Sequence, residues 1–289
     1  MRPDNDGSRR RSSHCERVGP SAEYRDLERL NLAVGSIDST VEELLARLVE
    51  GQTQALGVNL VGSYLFGSVV TGDFDPGISD VDTVAVVRSD LTAIQLATLE
   101  RLHRDIVEET PQWVDRVEVV YLSTQALATF RTASSAAARI SPGEPFHTIE
   151  IDHRWLIDWY QLREVGIALC SPPAASLVPV ISHDEYVEAV RRHMLTLFDR
   201  AEGLETQGAQ AYAILTMCRG LRTWQTGEHV SKREAARWAC EVLPEHAQLV
   251  RNAMVWRERS RQGSRTDDTQ TREGTMRFVN DVKRLVARG

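Results

Sequence analysis

Val58-Asn59-Leu60-Val61-Gly62-Ser63-Tyr64-Leu65-Phe66-Gly67-Ser68, followed after a turn-rich Thr71-Gly72-Asp73-Phe74-Asp75-Pro76-Gly77 by Ser79-Asp80-Val81-Asp82-Thr83-Val84-Ala85-Val86-Val87, decides the fold. The first run is short, apolar and rich in β-formers, and it stops at Gly67-Ser68, which predicts a strand ending in a turn. The second run predicts another strand. Asp80 and Asp82 stand two apart on it, so both carboxylates project from one face. Two carboxylates side by side at neutral pH repel each other and call for a cation between them. Hard oxygen ligands that leave room for waters and phosphates suit Mg²⁺.

Working outward, Asp38-Ser39-Thr40 precedes apolar positions 41, 44, 45, 48 and 49, which is helix spacing behind a capping residue. Leu91 to Val107 reads as a helix capped by Asp90, and Val117-Glu118-Val119-Val120-Tyr121-Leu122 as a third strand. Glu118 is a lone acid in an apolar strand. It faces water at an edge, or, if this strand lies beside the Asp-x-Asp strand, it shares the metal or acts as a base. Gly67 lets the backbone approach a ligand closely, and Ser68 adds a hydroxyl for a phosphate oxygen. From about residue 152 the strand signal disappears. His183–Glu205, Gln210–Thr226, Ser231–Leu243, Glu245–Arg259 and Arg272–Arg288 carry helical patterns, with Gln262–Thr275 polar enough for a loop. The fold class is therefore α+β. A disordered leader (1–20) precedes a small mixed sheet with helices (21–150), and an all-α bundle follows (151–289).

The chain has 289 residues and a net charge of −7, with 42% hydrophobic and 26% charged residues, which excludes a mostly disordered protein. No apolar run is long enough to span a membrane, and Met1–Pro20 lacks the apolar core of a secretory signal. The four scattered cysteines and eight histidines form no zinc or disulfide pattern, which together fits a cytoplasmic protein. Residues 21–150 hold nine bases and 20 acids, net −11, whereas 151–289 hold 20 bases and 18 acids, net +2. An acidic first half repels nucleic acid and attracts polycations and metal ions. The basic residues are almost all arginine, with Lys232 and Lys283 the two lysines, a bias that codon usage accounts for.

The order strand, Gly-Ser, turn, Ser-Asp-x-Asp, strand, then an acid in the next strand, resembles the nucleotidyltransferase superfamily that includes DNA polymerase beta. Within it the chain is similar to the aminoglycoside adenylyltransferases that modify streptomycin and spectinomycin. That likeness extends over about residues 35 to 287. It rests on Leu162-Arg163-Glu164-Val165-Gly166-Ile167-Ala168-Leu169 with Pro172-Pro173, and on Tyr212-Ala213-Ile214-Leu215-Thr216-Met217-Cys218-Arg219. Thr226-Gly227, Ser231-Lys232, Ala235-Ala236, Trp238-Ala239 and Leu243-Pro244 then follow in the family's order. The resemblance implies transfer of AMP from ATP to a hydroxyl of an aminoglycoside or aminocyclitol, with release of pyrophosphate. It implies that Asp80 and Asp82 hold Mg²⁺, that Glu118 takes the proton of the attacking hydroxyl, and that Ser68 and Ser79 contact the triphosphate.

Two departures bear on the acceptor. Where the family commonly carries acids after Ser231-Lys232, this chain has Arg233 and Arg237, which favours a less basic acceptor such as a protein hydroxyl or another metabolite. The family's tryptophan after the third strand, which helps hold streptomycin, is missing from Gly143-Glu144-Pro145-Phe146-His147. Among the remaining candidates, Trp155, Trp159 and Tyr160 are expected to pack between helices rather than stack on a ligand. Asp152 and Asp158 are expected to be solvated helix acids. Arg219 meets a phosphate or forms an ion pair, and Lys232 marks a helix start. A decayed, non-enzymatic nucleotide-binding module is disfavoured by the intact trio Asp80, Asp82 and Glu118. An RNA nucleotidyltransferase is disfavoured by the missing basic stripe.

Overall fold

The computed structural model describes residues 37–288 apart from 78, 171, 200–202 and 262–268; the expected leader lies outside the described residues. Helix α1 (Ser39–Leu56) starts where Asp38 accepts the Thr40 N–H. Strand β1 (Leu60–Phe66) and strand β2 (Val81–Val87) follow, then helix α2 (Ala93–Glu109) and strand β3 (Val117–Ser123). Helix α2 begins two residues later than expected. Its cap is Thr92 rather than Asp90, because Gln95 three residues on completes a reciprocal capping box.

The sheet has six strands in the order β5-β4-β3-β2-β1-β6, parallel only between β2 and β3. Three of these were not expected. After the short helix α3 (Thr124–Thr129), β4 (Ser135–Ser141) and β5 (Glu144–Ile151) form a hairpin. Strand β4 is mostly alanine and serine, which carry no β signal, and Gly143 at φ +76° turns the chain between the two strands. Strand β6 (Ile167–Cys170) has four residues and joins the edge of β1 after helix α4 (Leu156–Val165), so the sheet extends past residue 152.

The remaining helices are α5 (His183–Thr196), α6 (Gln207–Thr226), α7 (Lys232–Val242), α8 (Ala247–Arg261) and α9 (Thr269–Arg288). Helix α9 begins at Thr269, three residues before the expected Arg272.

Alternation along the central strands divides their side chains between two layers. Leu65, Val81, Ala85, Val87, Val119 and Tyr121 pack against α1 and α2 through Leu44, Leu48, Leu99 and Ile106. Tyr64, Phe66, Val84, Val86, Val120 and Leu122 face the other way. They share one continuous apolar cluster with Trp159 of α4, Met217 and Leu221 of α6, and Phe278 and Val282 of α9. The sheet and the helical half are therefore joined through a common core, and Arg131 reinforces the joint with two hydrogen bonds to Glu185, at 2.6 and 2.9 Å.

Trp159 lies at the centre of that joint, fully buried and stacked on Trp155 with 5.6 Å between ring centres. Trp159→Ala is expected to cost about 3–5 kcal/mol in urea denaturation. Trp159→Phe, which keeps a ring and removes the unpartnered Nε1–H, should cost clearly less.

Candidate active site

The register of the sheet assembles the acids. Asp82 lies opposite Phe66 of β1 on one side and Glu118 of β3 on the other. Asp82 and Glu118 have the same parity as Val84 and Val120, so they face the helical half. Asp80, just ahead of β2, completes the group: each of the three acids offers a carboxylate oxygen within 4.8 Å of the others. Burial holds the Asp82 carboxyl well above the ordinary carboxylate range, and Asp80 and Glu118 add like-charge repulsion. Burial also raises Glu118, against the pull of Arg139. Such a group of acids is relieved by a hard divalent cation, and its all-oxygen donor set fits Mg²⁺.

The Gly67-Ser68 turn sits against this group. Gly67 has φ +72°, and a Cβ there would fall 2.0 Å from Asp82 Oδ2, so glycine is required twice over, by conformation and by space. Ser68 Oγ is buried with no hydrogen-bond partner among the described residues, an orphan that a ligand oxygen would satisfy. Ser79 is buried, and its Oγ accepts the Asp75 N–H at 3.1 Å. Its carbonyl accepts from Arg116 Nε at 3.0 Å and Nη2 at 2.7 Å. Within this structure Ser79 builds the loop.

Glu118 is held from the neighbouring strand. Arg139 Nη2 donates to its Oε1 at 2.9 Å and Ser141 Oγ donates to its Oε2 at 3.3 Å. The same guanidinium lies 5.7 Å from the centre of the Trp155 ring. Arg139 had no signal in the sequence beyond being an arginine in an alanine run.

The helical half contributes three more charges. Asp158, expected to be a solvated helix acid, instead lies half-buried near Glu118. Burial, then Glu118, push its pKa up to about 6, with its own N–H, Arg219 and Arg139 acting the other way. Asp152 is half-buried, capping the turn before α4 and bonding Arg154. Trp155 and Trp159 pack together as expected, and Tyr160 stacks on Tyr186 at 4.0 Å. Arg219 has no hydrogen bond or ion pair among the described residues. Lys232 is more than a helix start. Its Nζ lies 5.2 Å from the centre of the Tyr212 ring, and its pKa is pulled down to about 8 by burial and Arg219 against Asp80 and Asp82. A lysine in a chain built almost wholly on arginine was the one available hint.

Two family models match. Residues 50–135 match the nucleotidyltransferase domain, and residues 176–283 match the aminoglycoside adenylyltransferase C-terminal domain. Spectinomycin 9-adenylyltransferase of Staphylococcus aureus is 30% identical over 67% of this chain and 76% of its own length. The chain belongs to the aminoglycoside adenylyltransferase family. The aminoglycoside (3'') (9) adenylyltransferase of Escherichia coli is 26% identical over 86% of this chain and 95% of its own. Among solved structures, the spectinomycin adenyltransferase AAD(9) from Enterococcus faecialis, crystallised with ATP and spectinomycin, shares the fold. Its TM-score is 0.66 and its identity 20%, over 85% of this chain and 99% of that one.

This adenylyltransferase carries its like-charged acids at a cost in stability. The unfolded Asp82 ionises at its ordinary pKa and the folded one only at higher pH, so the ionised residue weakens the folded state at neutral pH. Asp82→Asn is expected to raise the Tm by a few degrees without added metal while abolishing AMP transfer. Differential scanning calorimetry and a transfer assay on one preparation check both parts.

Proposed function

We propose that the enzyme transfers AMP from ATP to a hydroxyl of a spectinomycin-type aminocyclitol and releases pyrophosphate. The observation that carries this reading is the carboxylate trio beside the Gly67-Ser68 turn, with Lys232 of α7 near enough to Asp80 and Asp82 to feel their charge. Asp80 and Asp82, with Glu118 close enough to share, would hold Mg²⁺; when bound it neutralises phosphate charge, the main demand of this reaction class.

Ser68 Oγ and the Gly67 backbone take phosphate oxygens, and Ser79 acts through the loop it closes. Lys232 and Arg219 add the positive charge that a triphosphate needs. The acceptor oxygen forms a bond to the α-phosphorus of ATP while the bond from that phosphorus to the bridging oxygen breaks, and the electron pair leaves with pyrophosphate. Glu118 takes the hydroxyl proton. Burial raises its basicity, and Arg139 and Ser141 fix where its oxygens lie.

The acceptor lies on the α4 side of the trio, where Asp158 meets a cationic amine next to the reacting hydroxyl. A basic aminocyclitol accords with this, and the spectinomycin type accords with the relatives' names and with a β5 that has no tryptophan. Arg233 does not argue for a less basic acceptor, because its guanidinium is taken up by Asp75 at 2.7 Å. Among the described residues no helix is long and apolar enough to cross a membrane.

Pyrophosphate release from ATP and Mg²⁺ should appear with spectinomycin and be weak or absent with streptomycin, with Asp82→Asn as the blank. ATP binding without release on any aminocyclitol would remove the proposal. Asp158→Asn should weaken acceptor binding about tenfold near pH 7.5, roughly the loss of one charge-assisted hydrogen bond. The difference should shrink below pH 6, where the wild-type carboxyl is itself protonated. The KM for ATP should not change.

A further inference from the structure

We propose that Asp73 and Asp75 are positioning residues: they fasten the start of α7 to the β1–β2 connection and so deliver Lys232 to the carboxylate trio. The proposal rests on the reading of Lys232 as a triphosphate contact.

The connection between β1 and β2 is far longer than the pairing needs. Fourteen residues separate Phe66 from Val81, although the strands are antiparallel neighbours that a turn of about two residues can join. The extra chain is not slack. Asp73 N donates to Ser68 O at 3.1 Å, Thr71 Oγ1 to Gly67 O at 3.2 Å, and Ser79 N to Asp75 O at 2.9 Å. Arg116, lying over the Trp113 ring, then pins Ser79 from below. One end of this structure is the phosphate turn itself.

Its two outward carboxylates both reach the helical half. Asp73 Oδ2 accepts the Lys232 N–H at 3.1 Å, a donor at the first turn of α7 that the helix has no carbonyl to satisfy. Asp75 Oδ1 pairs with Arg233 at 2.7 Å, and Asp75 Oδ2 with Arg257 of α8 at 3.4 Å. Three contacts from two successive acids therefore converge on residues 232 and 233 and the adjoining helix. The positive end of the α7 dipole, Arg233 and Arg257 would otherwise crowd cations around Lys232, and Arg257 already acts to lower its proton affinity.

A single exposed ion pair contributes little to stability. Here the Asp75 and Arg257 side chains are 22% and 15% exposed, and the larger consequence is geometric. Displacement of a binding group by about 1 Å can cost up to about 100-fold in rate. Because Asp73 is bonded to Ser68 on one side and Lys232 on the other, the phosphate turn and the lysine are set by the same loop.

The test uses the full-length enzyme with ATP, Mg²⁺ and spectinomycin. Asp75→Asn and Arg233→Gln should each raise the KM for ATP about tenfold, within the range for misplaced binding groups. They should leave the KM for spectinomycin and the melting curve near wild type, and Asp75→Glu should recover part of the loss. In a Lys232→Met background, Asp75→Asn should add almost nothing, because it acts through the lysine. If Lys232→Met leaves the KM for ATP unchanged, the reading of Lys232 itself fails. A raised KM for Lys232→Met with an unchanged one for Asp75→Asn, or fully additive losses, overturns the positioning role alone.

Discussion

Three carboxylates packed into one partly buried corner constrain everything around them. In isolation such a group would take up protons or spread apart. The sheet prevents the second: Asp82 and Glu118 are fixed opposite each other by the parallel register of β2 and β3, and Gly67 closes over Asp82 with no side chain to intervene. Cationic side chains from two elements answer the first, with Arg139 from β4 acting on Glu118 and Lys232 from α7 acting on Asp82, while Arg219 of α6 acts on Asp158. The strain is carried by apolar packing on both faces of the sheet, with α1 and α2 on one side and the helical half on the other. The helical half thus has two functions: it covers the acids' face and adds Lys232 to the counter-charge that Arg139 supplies from the sheet.

What was legible in the sequence follows from this division. Asp80, Asp82 and Glu118 could be read because a period of two assigns them a face, and an acid on the apolar side of a strand asks for a reason. Gly67-Ser68 could be read because strand ends are punctuated by glycine. Arg139 could not, since its role comes from β4 lying beside β3, and β4 itself was hidden in Ser135-Ala136-Ala137-Ala138. Strand β6 escaped for a related reason: four residues at a sheet edge take their identity from the partner strand, here β1, rather than from their own pattern.

Asp158 and Arg233 are both set by contacts from outside their own helices. An acid in a first turn is ordinarily solvated, and an arginine beside a ligand site ordinarily adds charge to it. In the folded chain α4 turns its first turn inward against the trio, which partly buries Asp158. Arg233 is spent on Asp75, which also holds Arg257. Both outcomes accord with the proposed basic acceptor: a carboxylate stands near Glu118, and the Arg233 guanidinium is paired with Asp75.

On the proposed reading, affinity for the two substrates rests on different parts of the fold. The proposed acceptor side rests on α4, which Trp159 anchors in the shared core. The nucleotide side depends on the β1–β2 connection and the start of α7, which meet through charges rather than apolar surface. A polar contact is weaker and more easily reset than a buried tryptophan. On that reading the more easily reset contacts lie on the nucleotide side, while Glu118 and Asp158 stand on elements packed into the apolar core.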